Sequence, residues 1–274
     1  MKKFSGIILV FMIALSIVGC STNQPKDEVS EVKIVSIAPS NTEIVAALGG
    51  LDNLVGVTDF CNYPAEVLDI EKVGDSWNPN YEKIVALAPD YVLLMSYGEP
   101  YDRLVDMGLE VIVIDPQSID EIYTSIEDIA ALIGKEDKAQ QVISEMKSDL
   151  SALEAEFAEE KPTVFMLIDS GSFWTGGNNT FANEVIRRSG GINAAAIEDG
   201  WYEISQEKLL ELNPQYILYS WPPDEEITSL PAWQNLTAVK EGRVIQIDGD
   251  LTSRPSNRIV EGIQSIFNII QKGE

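Results

Sequence analysis

One stretch of this chain occurs twice, and that duplication limits its fold more than any other feature. Residues 82–94, EKIVALAPDYVLL, match residues 207–219, EKLLELNPQYILY, with six identities in thirteen positions at an offset of 125. Two further pairs follow in the same order: TEIVAALGG at 42–50 echoes NEVIRRSGG at 183–191, and EVIVID at 110–115 echoes RVIQID at 243–248. The longest match reads helix, proline, strand. Helical segments alternating with short apolar runs mark α/β units with mainly parallel sheets. Three matches in one order therefore predict two similar α/β lobes. A cleft between such lobes is the default ligand site.

The rest of the chain fills in that plan. Residues 34–38 read as a strand, and Ser40 with Glu43 reads as a capping box ahead of a helix that stops at Gly49-Gly50. Further strands are expected over 54–60, 91–96, 110–115 and 163–169, with helices over 82–88 and 256–271. The middle is purely helical. Ile119, Ile122, Ile126, Ile129 and Ile133 keep one period until Gly134 interrupts it; Ala139, Val142, Ile143, Met146, Leu150, Leu153 and Phe157 continue it in a second helix. A single helix over 136–160 would be about 37 Å long, and Pro162 marks its end. The expected organisation is a lobe over 34–118, a connecting helical segment over 119–161 and a second lobe over 162–274, joined by one long helix.

Residues 1–19 have the layout of an export signal. Lys2 and Lys3 precede an apolar run from residue 7 to 18, too short to span a bilayer comfortably. It closes on Ile17-Val18-Gly19-Cys20, which resembles a bacterial lipobox, so Cys20 is the expected lipidation site and first mature residue. Residues 20–33 then read as a flexible tether. Loss of Lys2 and Lys3 with the leader takes the net charge from −25 to −27. Cys61 is left without an intramolecular disulfide partner. The expected location is extracytoplasmic, lipid-anchored to the outer face of the cell membrane or to a periplasmic face.

Composition removes several functions. Forty-four acidic residues against nineteen basic ones repel phosphate backbones, so no nucleic-acid partner is expected. There is no histidine. That absence excludes Ser-His-Asp and Cys-His nucleophiles, His-ligated zinc and His-ligated haem. No Gly-rich phosphate loop, CxxC pair or calcium loop occurs either. Paired carboxylates leave an exported carbohydrate-active enzyme as a remote alternative, although no spacing selects a pair. The stronger class is a binding protein without enzymatic activity, cofactor or metal site.

Candidate binding residues lie in loops. Trp77 stands in Gly74-Asp75-Ser76-Trp77-Asn78-Pro79, five residues before Glu82, and Trp201 stands six before Glu207. Trp174 lies among loop formers in SGSFWTGG. One such tryptophan would more often pack in a core; three in turn-rich loops, two of them repeat-equivalent, point to a cleft for a large planar or amphipathic ligand. Glu82 and Glu207 open equivalent helices. Each complements a helix dipole, and together they offer one acidic knob per lobe to a two-fold partner. Asp250 and Arg254 follow the last strand, where α/β sheets bind ligands, with a local ion pair and helix cap as the other reading.

These residues carry a resemblance. The pattern IVSIAPSNTEIVAALG…LVGVTDFCNYP…VGDSWNPNYEKIVALAPDYVLL, followed by WTGGNNTFANEVIRRSGGIN and WYEISQEKLLELNPQYIL, resembles the cobalamin and ferric-siderophore substrate-binding proteins of ABC importers, and within them the cobalamin binders most. The resemblance covers the chain from about Lys33 onward. It implies a monomer that captures a corrinoid, or alternatively a ferric siderophore or haem, and delivers it to a permease dimer with its own ATPase. It also implies that Phe60, Trp77, Trp174, Trp201, Asp250 and Arg254 line the cleft, and that Glu82 and Glu207 meet permease arginines. Met95 stands where the cobalamin binders carry a tryptophan, with Tyr97 nearby as the replacement aromatic. The fold implied is two α/β lobes bridged by one long helix, with little lobe motion on binding.

Overall fold

Short apolar runs, buried most deeply in the central strands, form two parallel sheets in the computed structural model, which describes residues 31–168, 173–220, 229 and 231–273. The leader, Cys20 and most of the tether lie outside the described residues, as do residues 169–172. In the N-terminal lobe β1 (Ile34–Ser36) passes through α1 (Pro39–Ala47) to β2 (Leu54–Val57). The chain continues through α2 (Tyr81–Leu87), β3 (Tyr91–Leu94), α3 (Glu99–Asp106) and β4 (Val111–Val113). The sheet order is β2-β1-β3-β4, all parallel. Two helices follow, α4 (Ile119–Ile133) and α5 (Glu136–Glu154).

The C-terminal lobe starts with β5 (Thr163–Leu167), β6 (Trp174–Gly176), α6 (Phe181–Arg188), β7 (Ile192–Asn193) and β8 (Trp201–Glu203). It ends with α7 (Gln206–Leu212), β9 (Tyr216–Tyr219), α8 (Thr237–Lys240), β10 (Val244–Gln246), α9 (Gly249–Thr252) and α10 (Ile259–Phe267). Its main sheet runs β7-β5-β9-β10, again all parallel. That is the first sheet repeated, with β5 in the place of β1 and β9 in the place of β3.

The duplication extends to the helix ends. At α2 the Asn80 side chain caps the Lys83 N–H, and Ala88 ends the helix in the left-handed region at φ 47°. At α7 Ser205 caps Lys208, and Asn213 ends the helix at φ 43°. Each cap lies 125 residues from its counterpart. Gly49 and Gly190, φ 74° and 82°, close α1 and α6 in the same way. Two similar lobes follow from this sequence at the level of individual caps.

Three local expectations are corrected. Ser40 and Glu43 do not form a capping box: Pro39, favoured at the first helical position, starts α1 one residue after Ala38, which has no capping side chain. Glu43 thus falls a full turn inside the helix, and is buried. The long helix ends at Glu154 and not near 160, giving about 28 Å. There the Ala158 N–H is taken by the Gln271 side chain at 3.1 Å, and Phe157 turns onto Phe267 at 5.9 Å. The connection is the expected pair of helices interrupted at Gly134, with the second helix shorter than expected. Finally, the two-stranded antiparallel ribbon β6–β8 stands where loops were expected, and α3 fills a stretch for which no element was expected.

The helix pair does more than connect. One continuous core takes in Ile34, Ile44 and Val45 from the first lobe, Ile122, Ile126 and Ile129 from α4, and Val142, Met146 and Leu150 from α5. It continues through Val164, Val185, Ile263 and Phe267 of the second lobe. Burial of this kind contributes about 1.5–3 kcal/mol per large aliphatic side chain. Smaller separate cores lie beneath the outer face of each sheet.

Candidate functional site

Trp77 is held out by its own loop. The Asp75 carboxylate accepts the Trp77 and Asn78 N–H groups, both at 2.7 Å, in an Asx turn. Those backbone hydrogen bonds hold its carboxyl below the ordinary aspartate range. Gly74, at φ 89°, closes the turn, and a Cβ there would meet the Asn78 carbonyl at 2.7 Å. The Trp77 ring is 74% exposed and meets Phe60 edge-on, with centroids 6.1 Å apart at 78°. Tyr97, equally exposed, leans edge-on against Tyr101 at 4.9 Å.

Trp174 and Trp201 sit on the antiparallel ribbon rather than in loops. The register opposes Trp174 to Glu203 and Gly176 to Trp201, so both indoles emerge on one face. Trp201 covers Gly176 so closely that a Cβ there would lie 3.0 Å from its ring. Both tryptophans stay more than a third exposed.

The exposed groups converge on a cleft. A cavity of about 820 Å³ is lined by Phe60, Trp77, Met95, Tyr97, Asp250 and Arg254, among others. Met95 and Ser253 also border a second cavity of about 230 Å³, lined by Asp115, Phe181 and Trp201. Five of the seven expected ligand residues thus share the larger cavity, Trp201 borders the smaller one, and Trp174 stands beside Trp201 on the ribbon. Asp115 carries a carboxyl pushed up, chiefly by loss of water around it and then by Glu121, against the pull of Gln117.

At the back of the cleft Arg254 is fully engaged. It donates to Glu43 at 2.9 Å, to Asn62 at 2.8 Å, to Asp250 at 2.6 Å and to the Phe60 carbonyl at 3.4 Å. Asn62 in turn donates to the other Asp250 oxygen at 2.8 Å. Sequence reasoning missed Glu43 and Asn62. Asp250 and Arg254 form the local ion pair and also line the cavity, while the helix cap belongs to Asp248.

Glu82 and Glu207 lie away from this constellation. Both are exposed in the first turns of α2 and α7, and neither makes an ion pair among the described residues. No group of three or more carboxylates and thiols suited to a metal occurs among the described residues. Cys61 is buried, its sulfur between the hydroxyls of Thr42 and Thr58 at 3.2 and 3.1 Å. No described helix is long and apolar enough to cross a membrane.

Comparison with known proteins agrees with this geometry. The family model described as periplasmic binding protein matches residues 34–251. The ABC transporter substrate-binding lipoprotein YvrC of Bacillus subtilis (strain 168) is 37% identical over 250 residues, covering 87% of this chain and 79% of the relative. The vitamin B12-binding protein of Salmonella typhimurium (strain LT2) is 29% identical over 245 residues, covering 88% and 90%. Among solved structures, a possible iron-binding solute-binding protein of Staphylococcus epidermidis superposes with a TM-score of 0.75 at 29% identity, covering 88% of this chain and 99% of that one. The vitamin B12-binding protein BtuF of Vibrio cholerae gives 0.75 at 26%, covering 88% and 98%. A haem-binding protein of Pseudomonas aeruginosa gives 0.79 at 21%, covering 88% and 93%, and shares the fold alone. The family is one of transport proteins and not of enzymes, which sets the carbohydrate-active reading aside. With its two parallel lobes and an aromatic cleft, this chain belongs to the periplasmic binding protein family, as the extracytoplasmic substrate-binding component of an ABC transporter.

Proposed function

We propose that the cleft captures cobalamin or a related corrinoid and hands it to a permease dimer. The observation that carries this reading is a large aromatic cavity whose lining cation, Arg254, is already bound by two carboxylates. Rings such as Phe60, Trp77, Tyr97 and Trp201 suit a broad, flat, largely uncharged macrocycle. An anionic siderophore would want free guanidinium or ammonium groups. The relatives described as vitamin B12-binding proteins favour the same ligand class. The chain works as a monomer, tethered by a lipid on Cys20, and carries no cofactor of its own. A second reading, a ferric siderophore or haem on the same scaffold, draws on Tyr97 and Met95, exposed in the cleft of a chain without histidine. Tyr and Met are both known to ligate haem iron.

Tryptophan emission of the mature protein, titrated with cyanocobalamin, haemin and ferric siderophores, separates these readings. Cyanocobalamin should quench it, and Trp77→Ala or Trp201→Ala should weaken binding about tenfold or more, as expected for loss of about 1.5–3 kcal/mol of aromatic contact. Tighter binding of haemin or a siderophore would sink the corrinoid reading.

A further inference from the structure

Glu43 is a buried carboxylate outside the lining of the cleft. Its side chain projects from α1, only 2% of the residue is exposed, and its partners Arg254, Ser256 and Arg258 come from the other lobe. Oε1 accepts from Arg254 at 2.9 Å and from Arg258 at 3.3 Å; Oε2 accepts from the Ser256 hydroxyl at 2.6 Å. Arg258 lies over the Tyr63 ring at 3.7 Å, with Glu261 3.6 Å from its Nε. Buried ion pairs add little net stability on average, because desolvation offsets attraction. Holding the lobes together is therefore a poor explanation for this one.

Its electrical effect is clearer. The larger cavity is lined by Asp59, Asp250 and one cation, Arg254. Glu43 engages that guanidinium from behind and Asp250 from the side, so the formal charges of Glu43, Asp250, Arg254 and Arg258 cancel. Asp59 is left to set the sign of the cleft. We propose that Glu43 is a specificity-determining residue: by neutralising Arg254 it makes the cleft turn away anionic ligands and admit uncharged ones. The inference rests on the cavity being the ligand site, but not on the ligand being a corrinoid.

The test compares one net-neutral and one anionic probe, cyanocobalamin and ferric dicitrate, by calorimetric titration at low and high salt. Glu43→Gln keeps the shape and an acceptor while removing the charge. Ferric dicitrate should then bind about tenfold tighter at low salt, the gain shrinking as salt rises, while cyanocobalamin affinity changes less than threefold. Asp250→Asn, from a side chain 36% exposed, removes the other carboxylate on Arg254 and should act in the same direction. Should the buried variant not fold, Asp250→Asn still tests the mechanism, since no gain for ferric dicitrate would show that neutralisation of Arg254 does not set the charge of the ligand and would overturn the proposal. Equal loss of affinity for both probes would mean a merely structural role and overturn the proposal, as would unchanged ferric dicitrate binding. Wild-type protein that ignores cyanocobalamin would defeat the corrinoid reading, yet the ferric dicitrate gain would still support the role of Glu43.

Discussion

At the scale of single residues, the readiness of the cleft depends on how its rings are held before any ligand arrives. Trp77 projects from a loop with little packing around it, so the Asp75 turn is what limits its freedom. A folded-state carboxyl held below its ordinary value of 3.8 stabilises the loop above that value and loses the effect as pH falls through the lowered one. The Asp75 carboxyl, followed by its carbon shift, should therefore titrate below 3.8, and Asp75→Ala should weaken ligand binding several-fold at neutral pH with little change in Tm. Unchanged affinity would show that the turn does not preorganise Trp77. Trp77 was legible from loop composition, because a tryptophan among Gly, Asp, Ser and Pro has little core to enter; Phe60 and Tyr97 came only from the resemblance, and Trp174 and Trp201 stand on strands instead of loops. Glu43 was not. Its spacing from Ser40 fits a helix cap, and only the tertiary approach of residues 254–258 reveals its use.

At the scale of elements, the repeat carried most of the information. It placed α2, β3 and β4 and their counterparts within a few residues, because a cap, an apolar run and a proline act locally. The ribbon β6–β8 was illegible: its three-residue strands pair across an intervening helix, and nothing in their composition announces the partner. The length of α5 was misread because Phe157 keeps the helical period while Gln271, far along the chain, draws the backbone away. One difference between the repeats is itself testable. Ala88 occupies the left-handed position that Asn213 occupies in the second copy, at a cost of about 1–2 kcal/mol for a residue with a Cβ. Part of that cost is offset by the greater freedom of glycine in the unfolded chain, so Ala88→Gly should raise stability by about 0.5–1 kcal/mol, or Tm by about 2 °C. A lower Tm would mean that the Ala88 methyl does something the cap geometry does not show.

At the scale of the whole molecule, a two-fold permease can be met by one chain only through its internal duplication. Glu82 and Glu207, at matching points of α2 and α7, are proposed as its contacts. Alanine at both should abolish uptake at limiting ligand while the ligand Kd stays nearly constant. Alanine at Asp128 on α4 and Asp149 on α5, both exposed and without ion pairs among the described residues, is the charge-matched control and should leave uptake nearly unchanged. Uptake that survives the Glu82/Glu207 variant would return both glutamates to helix capping. The core running from β1 through α4 and α5 to α10 has a consequence for heat denaturation. Neither sheet can lose its inner face without exposing the other, so the chain has two lobes but one cooperative unit. Scanning calorimetry should give a single peak whose van't Hoff and calorimetric enthalpies agree, and neither lobe expressed alone should melt cooperatively.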